Sequence, residues 1–271
     1  MPEAPDLEAY AAYLAPRLLG RRVVEAKAII PPVVKAGREL LPSLRGRELS
    51  GIARQGKHLR LVLEGDMVVA IHPMLSGRFH LVPAQEPRRP RTVFALGLDD
   101  GMELRLWDQG LTSRIYVAQG EGGLAKALPP RADAGPDALS LELTSQRLWE
   151  RLRGHRGHIK SLIVSEKLVS GIGNAYADEV LFAAGINPFR PAAEMGLGEA
   201  ERLLQAMRQV LREGTQEVLA MMERHGLPDE EYRGHMKVHR RGGQPCPRCG
   251  ANIVDVVKGG RVTSYCPSCQ Q

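Results

Sequence analysis

The chain has no long apolar run. The longest, around Met67–Ile71 and Ala183-Ala184, fall far short of the roughly 18 residues needed to cross a bilayer, so no membrane partner is expected. It opens without the basic patch, apolar core and small-residue cleavage site of a secretory leader. Glu3, Asp6 and Glu8 stand there instead, and a cytoplasmic protein is expected. There is no internal repeat, which sets aside solenoids and propellers. No collagen-like, mucin-like or disordered composition fits. Cysteine is scarce, with four in 271 residues, and all four lie in the last part of the chain.

What is present is an ordinary globular composition, 43% hydrophobic, in a length suited to one large or two moderate domains. The net charge of +6 is unevenly spread. From Arg233 onward the chain carries Arg233, Lys237, Arg240, Arg241, Arg248, Lys258 and Arg261 against the single acid Asp255. This is either the electrostatic footprint of a polyanion partner or a solvated basic tail.

Leu7, Tyr10, Leu14 and Leu18 recur at helical spacing, with Pro16 predicting a kink or an early end. Val23–Ile30, Leu49–Arg54, the alternating Leu59, Leu61 and Leu63, and Met67–Ile71 then read as strands. Phe94–Leu98 and Glu103–Leu106 flank an Asp99-Asp100-Gly101 hairpin turn. The expected fold is α+β. Residues 1–118 form an antiparallel β-sandwich with flanking helices. Residues 119–139, rich in Gly, Pro and Ala, form a linker. Residues 140–235 are helical, with a helix from Asn174 to Ala184 capped by Asn174. A long amphipathic helix carries Leu203, Leu204, Met207, Val210, Leu211, Val218 and Leu219, a stripe better suited to a core than to a binding face. Residues 236–271 form a small hairpin.

That hairpin holds the most specific motif. Cys246 and Cys249 are separated by two residues, as are Cys266 and Cys269, with sixteen residues between the pairs. Two thiolate pairs brought together by a hairpin make a tetrahedral zinc site. A pair of disulfides would need an oxidising compartment. With four protein ligands the one Zn2+ expected is structural. Residues 253–257, the Gly259-Gly260 turn and Val262 supply the hairpin. Zinc ribbons serve many unrelated proteins, so the motif alone names no partner.

Met1 before Pro2 is usually removed, which would leave a secondary amine. An α-amino group with a pKa of about 8 is partly unprotonated near neutrality and can act as a nucleophile. Glu3 beside it could move protons. Many proteins that begin Met-Pro-Glu do no such chemistry.

Five segments occur here in one order: Met1-Pro-Glu-Ala-Pro-Asp6, Gln55-Gly-Lys57-His58, Gly171-Ile-Gly-Asn174-Ala-Tyr176-Ala-Asp-Glu179, Ala183-Ala-Gly-Ile-Asn-Pro188, and Arg261-Val-Thr-Ser-Tyr-Cys266 with the zinc cysteines. Together they resemble the formamidopyrimidine-DNA glycosylase and endonuclease VIII family across nearly the whole chain. The resemblance implies a β-sandwich, a helix-two-turns-helix DNA clamp and a zinc-ribbon hairpin. It implies a bifunctional glycosylase and abasic-site lyase of base excision repair, working through β,δ-elimination. The partner would be double-stranded DNA carrying a damaged base or abasic site, bound by a monomeric, nucleoid-associated bacterial protein. It assigns Pro2 as Schiff-base nucleophile, Glu3 as general acid/base and Lys57 as a phosphate contact beside the lesion. His72, Lys160, Asn174 and Arg261 would bind DNA. Read without the family, Lys57 is a solvated turn lysine, His72 a structural histidine and Lys160 an exposed helix lysine.

The chain also departs from the family. Leu75 stands where a methionine wedge fills the gap left by a flipped nucleotide. Gly110 and Thr112 stand where arginine and phenylalanine wedges are usual, and Asp6 replaces a glutamate. Residues 221–241 lack the Gly-Gly-Thr-Thr pattern common where oxidised purines are gripped, so the preferred lesion stays open. The rival function is a non-catalytic binder of damaged DNA with the same clamp. A zinc-ribbon nuclease or transcription factor would leave Pro2 and Glu3 unexplained.

Overall fold

A computed structural model describes residues 1–129 and 135–271, which divide into two compact units. The first takes the N-terminal residues together with Thr215–Tyr232, and the second takes Gly135–Gly214 together with Arg233–Gln271.

In the first unit, helix α1 (Ala4–Leu18) precedes nine strands: β1 (Val23–Ala28), β2 (Val34–Ala36), β3 (Leu49–Gln55), β4 (His58–Leu63), β5 (Met67–His72), β6 (Gly77–Pro83), β7 (Thr92–Leu98), β8 (Met102–Asp108) and β9 (Arg114–Gln119). A four-stranded sheet runs β1-β7-β8-β6 and a five-stranded sheet runs β2-β9-β5-β4-β3. Both are antiparallel apart from the β2–β9 pair. Alternation in β4 turns Leu59, Leu61 and Leu63 into a core shared with Leu7, Leu14 and Leu18 of α1 and with Phe79, Phe94 and Leu96 of the other sheet. The expected sandwich is present. Pro16 is carried inside the last turn of α1 instead of ending it.

The linker expectation needs correction. Gly120–Ala127 form a helix, α2, and Leu124 on it packs with Val68, Ala70, Tyr116 and Ala118 on the outer face of the five-stranded sheet. Residues 130–134 of the expected linker lie outside the described residues. β6 was also not anticipated. It is buried along most of its length and carries Arg78 and His80, whose ion-pair partners Glu231 and Asp229 lie far along the chain.

The second unit contains α3 (Ser145–Arg153), α4 (Ile159–Val164), α5 (Asn174–Ala184), and the hairpin β10 (Val254–Lys258) and β11 (Arg261–Tyr265). The long helix α6 (Leu197–His225) supplies Leu203, Leu204, Met207 and Leu211 to this unit's core, and Val218 and Met222 to the core of the first. Its Met and Leu stripe is core, as expected. Among the described residues, no helix is long and apolar enough to cross a membrane.

Gly37 (φ +72°) sits where an added Cβ would lie 1.8 Å from the Val117 carbonyl oxygen of β9. Gly37→Ala therefore combines left-handed strain with a backbone clash and is expected to cost about 2–4 kcal/mol in denaturant unfolding. Gly46→Ala, at φ +80° with open space around it, should show the strain alone, about 1 kcal/mol. Equal losses at the two positions would contradict this packing.

Candidate functional site

In the first unit the N-terminal residues are held by a reciprocal cap. Glu3 is the N-cap of α1. Its own N–H donates to Asp6 Oδ2 at 2.7 Å, while its carboxylate accepts from the Asp6 backbone N–H. Pro2, Glu3 and Asp6 are all buried. The shorter aspartate thus has a definite task, closing the first turn of the helix. With Met1 in place its ammonium pairs with Glu231 at 2.7 Å, and Arg78 holds the same carboxylate oxygen at 2.7 Å.

Lys57 lies at the turn joining β3 to β4 and is buried. Arg54 ties that turn to α1: its Nε donates to Glu8 at 2.8 Å and its Nη1 to the Gly56 carbonyl at 3.1 Å. Sequence reasoning missed this brace, because neither residue belongs to a catalytic motif. His72 ends β5. Its Nδ1 accepts the Met74 N–H at 3.0 Å, which makes Nε2 the protonated nitrogen of the neutral ring, and its ring meets His58 edge-on at 5.0 Å. Pro2, Glu3, Lys57 and His72 all belong to this unit.

Two loops leave the sheets beside His72, which pairs with Arg114. The first, residues 73–76, presents Leu75; the second, residues 109–113, holds Gly110, Leu111 and Thr112. Buried Asp108 organises both. It accepts from Ser76 Oγ at 2.5 Å, the Gly110 N–H at 3.1 Å and the Ser113 N–H at 2.7 Å. Burial pushes its carboxyl up, but the hydrogen bonds from Ser76 and Ser113 outweigh burial and hold it below the usual carboxylate range.

In the second unit, Lys160 and Asn174 converge on one backbone carbonyl of the zinc hairpin. Lys160 Nζ donates to Val262 O at 2.8 Å and to Thr263 Oγ1 at 3.0 Å, and pairs with Asp178 at 2.7 Å. Asn174 Nδ2 donates to the same Val262 oxygen at 2.9 Å. Lys160 is buried, so its charge is balanced by Asp178 and not by water. Asn174 is the first residue of α5 and Gly173 is the N-cap, which corrects the expectation that Asn174 caps the helix. Arg261, next to the shared carbonyl, is exposed at the hairpin tip opposite Lys258. Lys160, Asn174, Arg261, Lys258 and His158 line one cleft of about 270 Å³. Asp178 and Glu179, at the end of the Gly171–Glu179 segment, brace this region, which their sequence context alone does not reveal. Asp178 also meets His239 Nδ1 at 2.7 Å, and Glu179 accepts the N–H groups of Lys237, Val238 and His239.

The four cysteine sulfurs lie within 4.8 Å of one another. Cys246–Cys269 and Cys249–Cys266 are 3.9 and 3.5 Å apart, too long for disulfides and close to the ~3.8 Å edge of a tetrahedron with ~2.3 Å zinc–sulfur bonds. The contact with Cys249, together with burial, pushes Cys269 up to about 12. Burial also raises Cys246, but the backbone N–H groups of Arg248 and Cys249 overcome it and bring that thiol down to about 7. Gly259 and Gly260, both at positive φ, make the turn. Gln270 fastens the ribbon to the end of α5, accepting from Cys266 N–H and donating to Ile186 O.

Residues 1–115 match the model of the formamidopyrimidine-DNA glycosylase N-terminal domain, residues 134–222 the H2TH domain of the same enzymes, and residues 243–271 the zinc finger found in FPG and IleRS. The formamidopyrimidine-DNA glycosylase of Roseiflexus sp. is 34% identical over 284 aligned positions, covering 100% of both chains. That of Symbiobacterium thermophilum is 35% identical, covering 100% of this chain and 89% of its own. Two solved structures share the fold. The Lactococcus lactis glycosylase bound non-covalently to DNA containing an AP site gives a TM-score of 0.87 at 25% identity, covering 99% of each chain. The MutM protein of Thermus thermophilus gives 0.84 at 29%, covering 99% of this chain and 98% of its own. With the zinc-finger match and the sulfur geometry together, Cys246, Cys249, Cys266 and Cys269 hold one structural zinc.

Cys249→Ser is expected to lower zinc content below one per chain and to speed amide exchange in residues 246–271, while β4 and β5 keep their protection. Full zinc occupancy in that variant would contradict the four-thiolate site.

Proposed function

The chain belongs to the formamidopyrimidine-DNA glycosylase family, and from that premise we propose that it excises damaged bases from double-stranded DNA and then cleaves the strand through a Schiff base on Pro2. The observation that carries the reading is the reciprocal Glu3–Asp6 cap. It buries Pro2 and Glu3 at the start of a helix that Arg54 and Glu8 join to the turn bearing Lys57.

While Met1 is attached, the Pro2 nitrogen is an amide and has no nucleophilic lone pair. Removal of Met1 turns it into a secondary amine. That amine attacks C1′ of the damaged nucleotide, the glycosidic C1′–N bond breaks, and the base leaves with a proton. Ring opening of the sugar gives an iminium ion, with Glu3 as the group that moves protons at the deoxyribose. Loss of a C2′ proton expels the 3′-phosphate in β-elimination, and a second elimination releases the 5′-phosphate. Water then hydrolyses the imine and regenerates Pro2. Lys57 and His72 supply positive charge or N–H donors to the phosphates beside the lesion. Arg261 and Lys258 supply the same at the zinc hairpin, whose position Lys160 and Asn174 hold from behind. Lys160 therefore contributes chiefly by placing the hairpin, because its ammonium is already engaged by three acceptors.

Borohydride reduction on an abasic-site duplex is expected to trap the wild-type protein covalently. A variant with a residue retained in front of Pro2 should bind the duplex but fail to trap. Glu3→Gln should slow base excision by about a hundredfold or more, and slow cleavage at a preformed abasic site less, since no glycosidic bond remains to break there. A wild-type protein that binds damaged duplex without trapping would make it a binder only.

A further inference from the structure

We propose that Glu231 is a positioning residue for the nucleophile: once Met1 is removed, its carboxylate holds the Pro2 amine at the start of α1 and accepts the proton that this nitrogen gives up after bonding to C1′. The role rests on the glycosylase reading above and adds to it a residue from a segment that no motif marks.

That segment follows α6. Gly226, at φ +80°, ends the helix with its N–H donating to Met222 O at 2.8 Å, and residues 227–232 belong to the first unit. Leu227 and Tyr232 pack against the sandwich core at the two ends of the segment. Between them, acids two residues apart meet basic side chains two residues apart on β6, an outer strand of its sheet. Glu231 Oε1 accepts from Arg78 Nη2 at 2.7 Å, and Asp229 Oδ1 accepts from His80 Nε2 at 2.9 Å and Arg89 Nη1 at 2.6 Å. The pairs run in reverse order, so the segment lies antiparallel to β6 as a strap. Alternation turns Asp229 and Glu231 toward β6 and leaves Glu230, between them, exposed.

The oxygen that Arg78 holds also accepts from the Met1 ammonium at 2.7 Å, from a residue 230 positions away. The Pro2 nitrogen follows within one residue of backbone, roughly 3.6 Å at most. The carboxylate therefore stands within reach of the new terminus. The acids nearest in sequence have another task, since Glu3 and Asp6 exchange bonds with each other's backbone N–H. A neutral secondary amine carries one N–H and one lone pair. With the N–H given to Glu231, the lone pair is left for C1′. Bond formation makes the nitrogen a cation that still carries its proton. Glu231 takes that proton, the recovered lone pair opens the sugar to the iminium ion, and O4′ takes a proton in turn from Glu3. The Glu231 side chain is 24% exposed, so it can return its proton to water. Arg78, almost fully buried, offsets part of the carboxylate charge and limits how firmly the amine is held as ammonium.

The test labels the mature protein with 15N-proline and titrates the Pro2 nitrogen by NMR in the absence of DNA. Loss of the nearby negative charge in Glu231→Gln should move the amine midpoint to lower pH and raise the unprotonated fraction on its acidic side about threefold or more. Glu230→Gln removes the same charge from the exposed side of the strap and should match wild type. Glu3, Asp6, Glu8, Arg54, Lys57, His72 and Arg78 are common to all three proteins, so the difference reports Glu231. Burial, with Arg89 beside it, holds His80 below the ordinary histidine range, so its neutral ring anchors the strap through the titration. In parallel, the pH profile of cyanoborohydride trapping on an abasic-site duplex should show the same acid shift in Glu231→Gln. Its alkaline plateau should fall about tenfold or more, with duplex affinity within about twofold of wild type. An unchanged midpoint in Glu231→Gln, or an equal shift in Glu230→Gln, would overturn the proposal. If wild-type protein traps on no abasic substrate, the enzymatic reading fails, and the NMR titration alone still decides whether Glu231 holds the amine.

Discussion

The arrangement depends on one short-range interaction, the reciprocal hydrogen bonding of Glu3 and Asp6 across the first turn of α1. An N-cap glutamate is unusual, since serine, threonine, aspartate and asparagine reach the N3 amide more easily. Here the glutamate is retained and the N3 aspartate answers it. The exchange satisfies backbone groups that would otherwise be orphaned by burial, which lets the residues before the helix sit inside the unit. Leu7, Leu14 and Leu18 then seat the helix in the sandwich core, and Arg54 carries the fixed position onward to the Lys57 turn.

The second unit solves a similar placement problem with charge and metal. A two-stranded hairpin is marginal on its own. Zinc closes one end of it, and Lys160 and Asn174 fix the Val262 carbonyl near the other. Asp178 pairs with the buried Lys160, and Glu179 gathers three successive N–H groups of the segment leading into the ribbon. Arg261 is left exposed on a support held from two sides. Lys160 and Asn174, expected as DNA contacts, also brace the hairpin from which Arg261 faces outward.

What could be read from the sequence was what is local. The cysteine spacing, the Gly259-Gly260 turn, the alternation of Leu59, Leu61 and Leu63 and the stripe on α6 each express a short-range geometric rule, and each appears where expected. What could not be read depends on partners remote in sequence. β6 carries Arg78 and His80, which look like surface residues until Glu231 and Asp229, 153 and 149 residues away, are seen to meet them. Asn174 was read as a cap because its acceptor lies 88 residues further on. α2 was hidden by Gly120, Gly122 and Gly123, whose low helix propensity is overridden by Leu124 packing on the sheet. The Asp6 cap was local, yet it was noticed only as a departure from the family, since the usual capping signature starts with serine or threonine.

Whether Pro2, buried beside the Glu3–Asp6 cap, performs the proposed covalent step is decided by proteolysis and mass mapping of the borohydride-reduced protein–DNA adduct. The reduced sugar is expected at the nitrogen of residue 2, in a peptide that has lost Met1. An adduct on the side chain of Lys57, or on any other lysine, with the nitrogen of Pro2 unmodified, would contradict it.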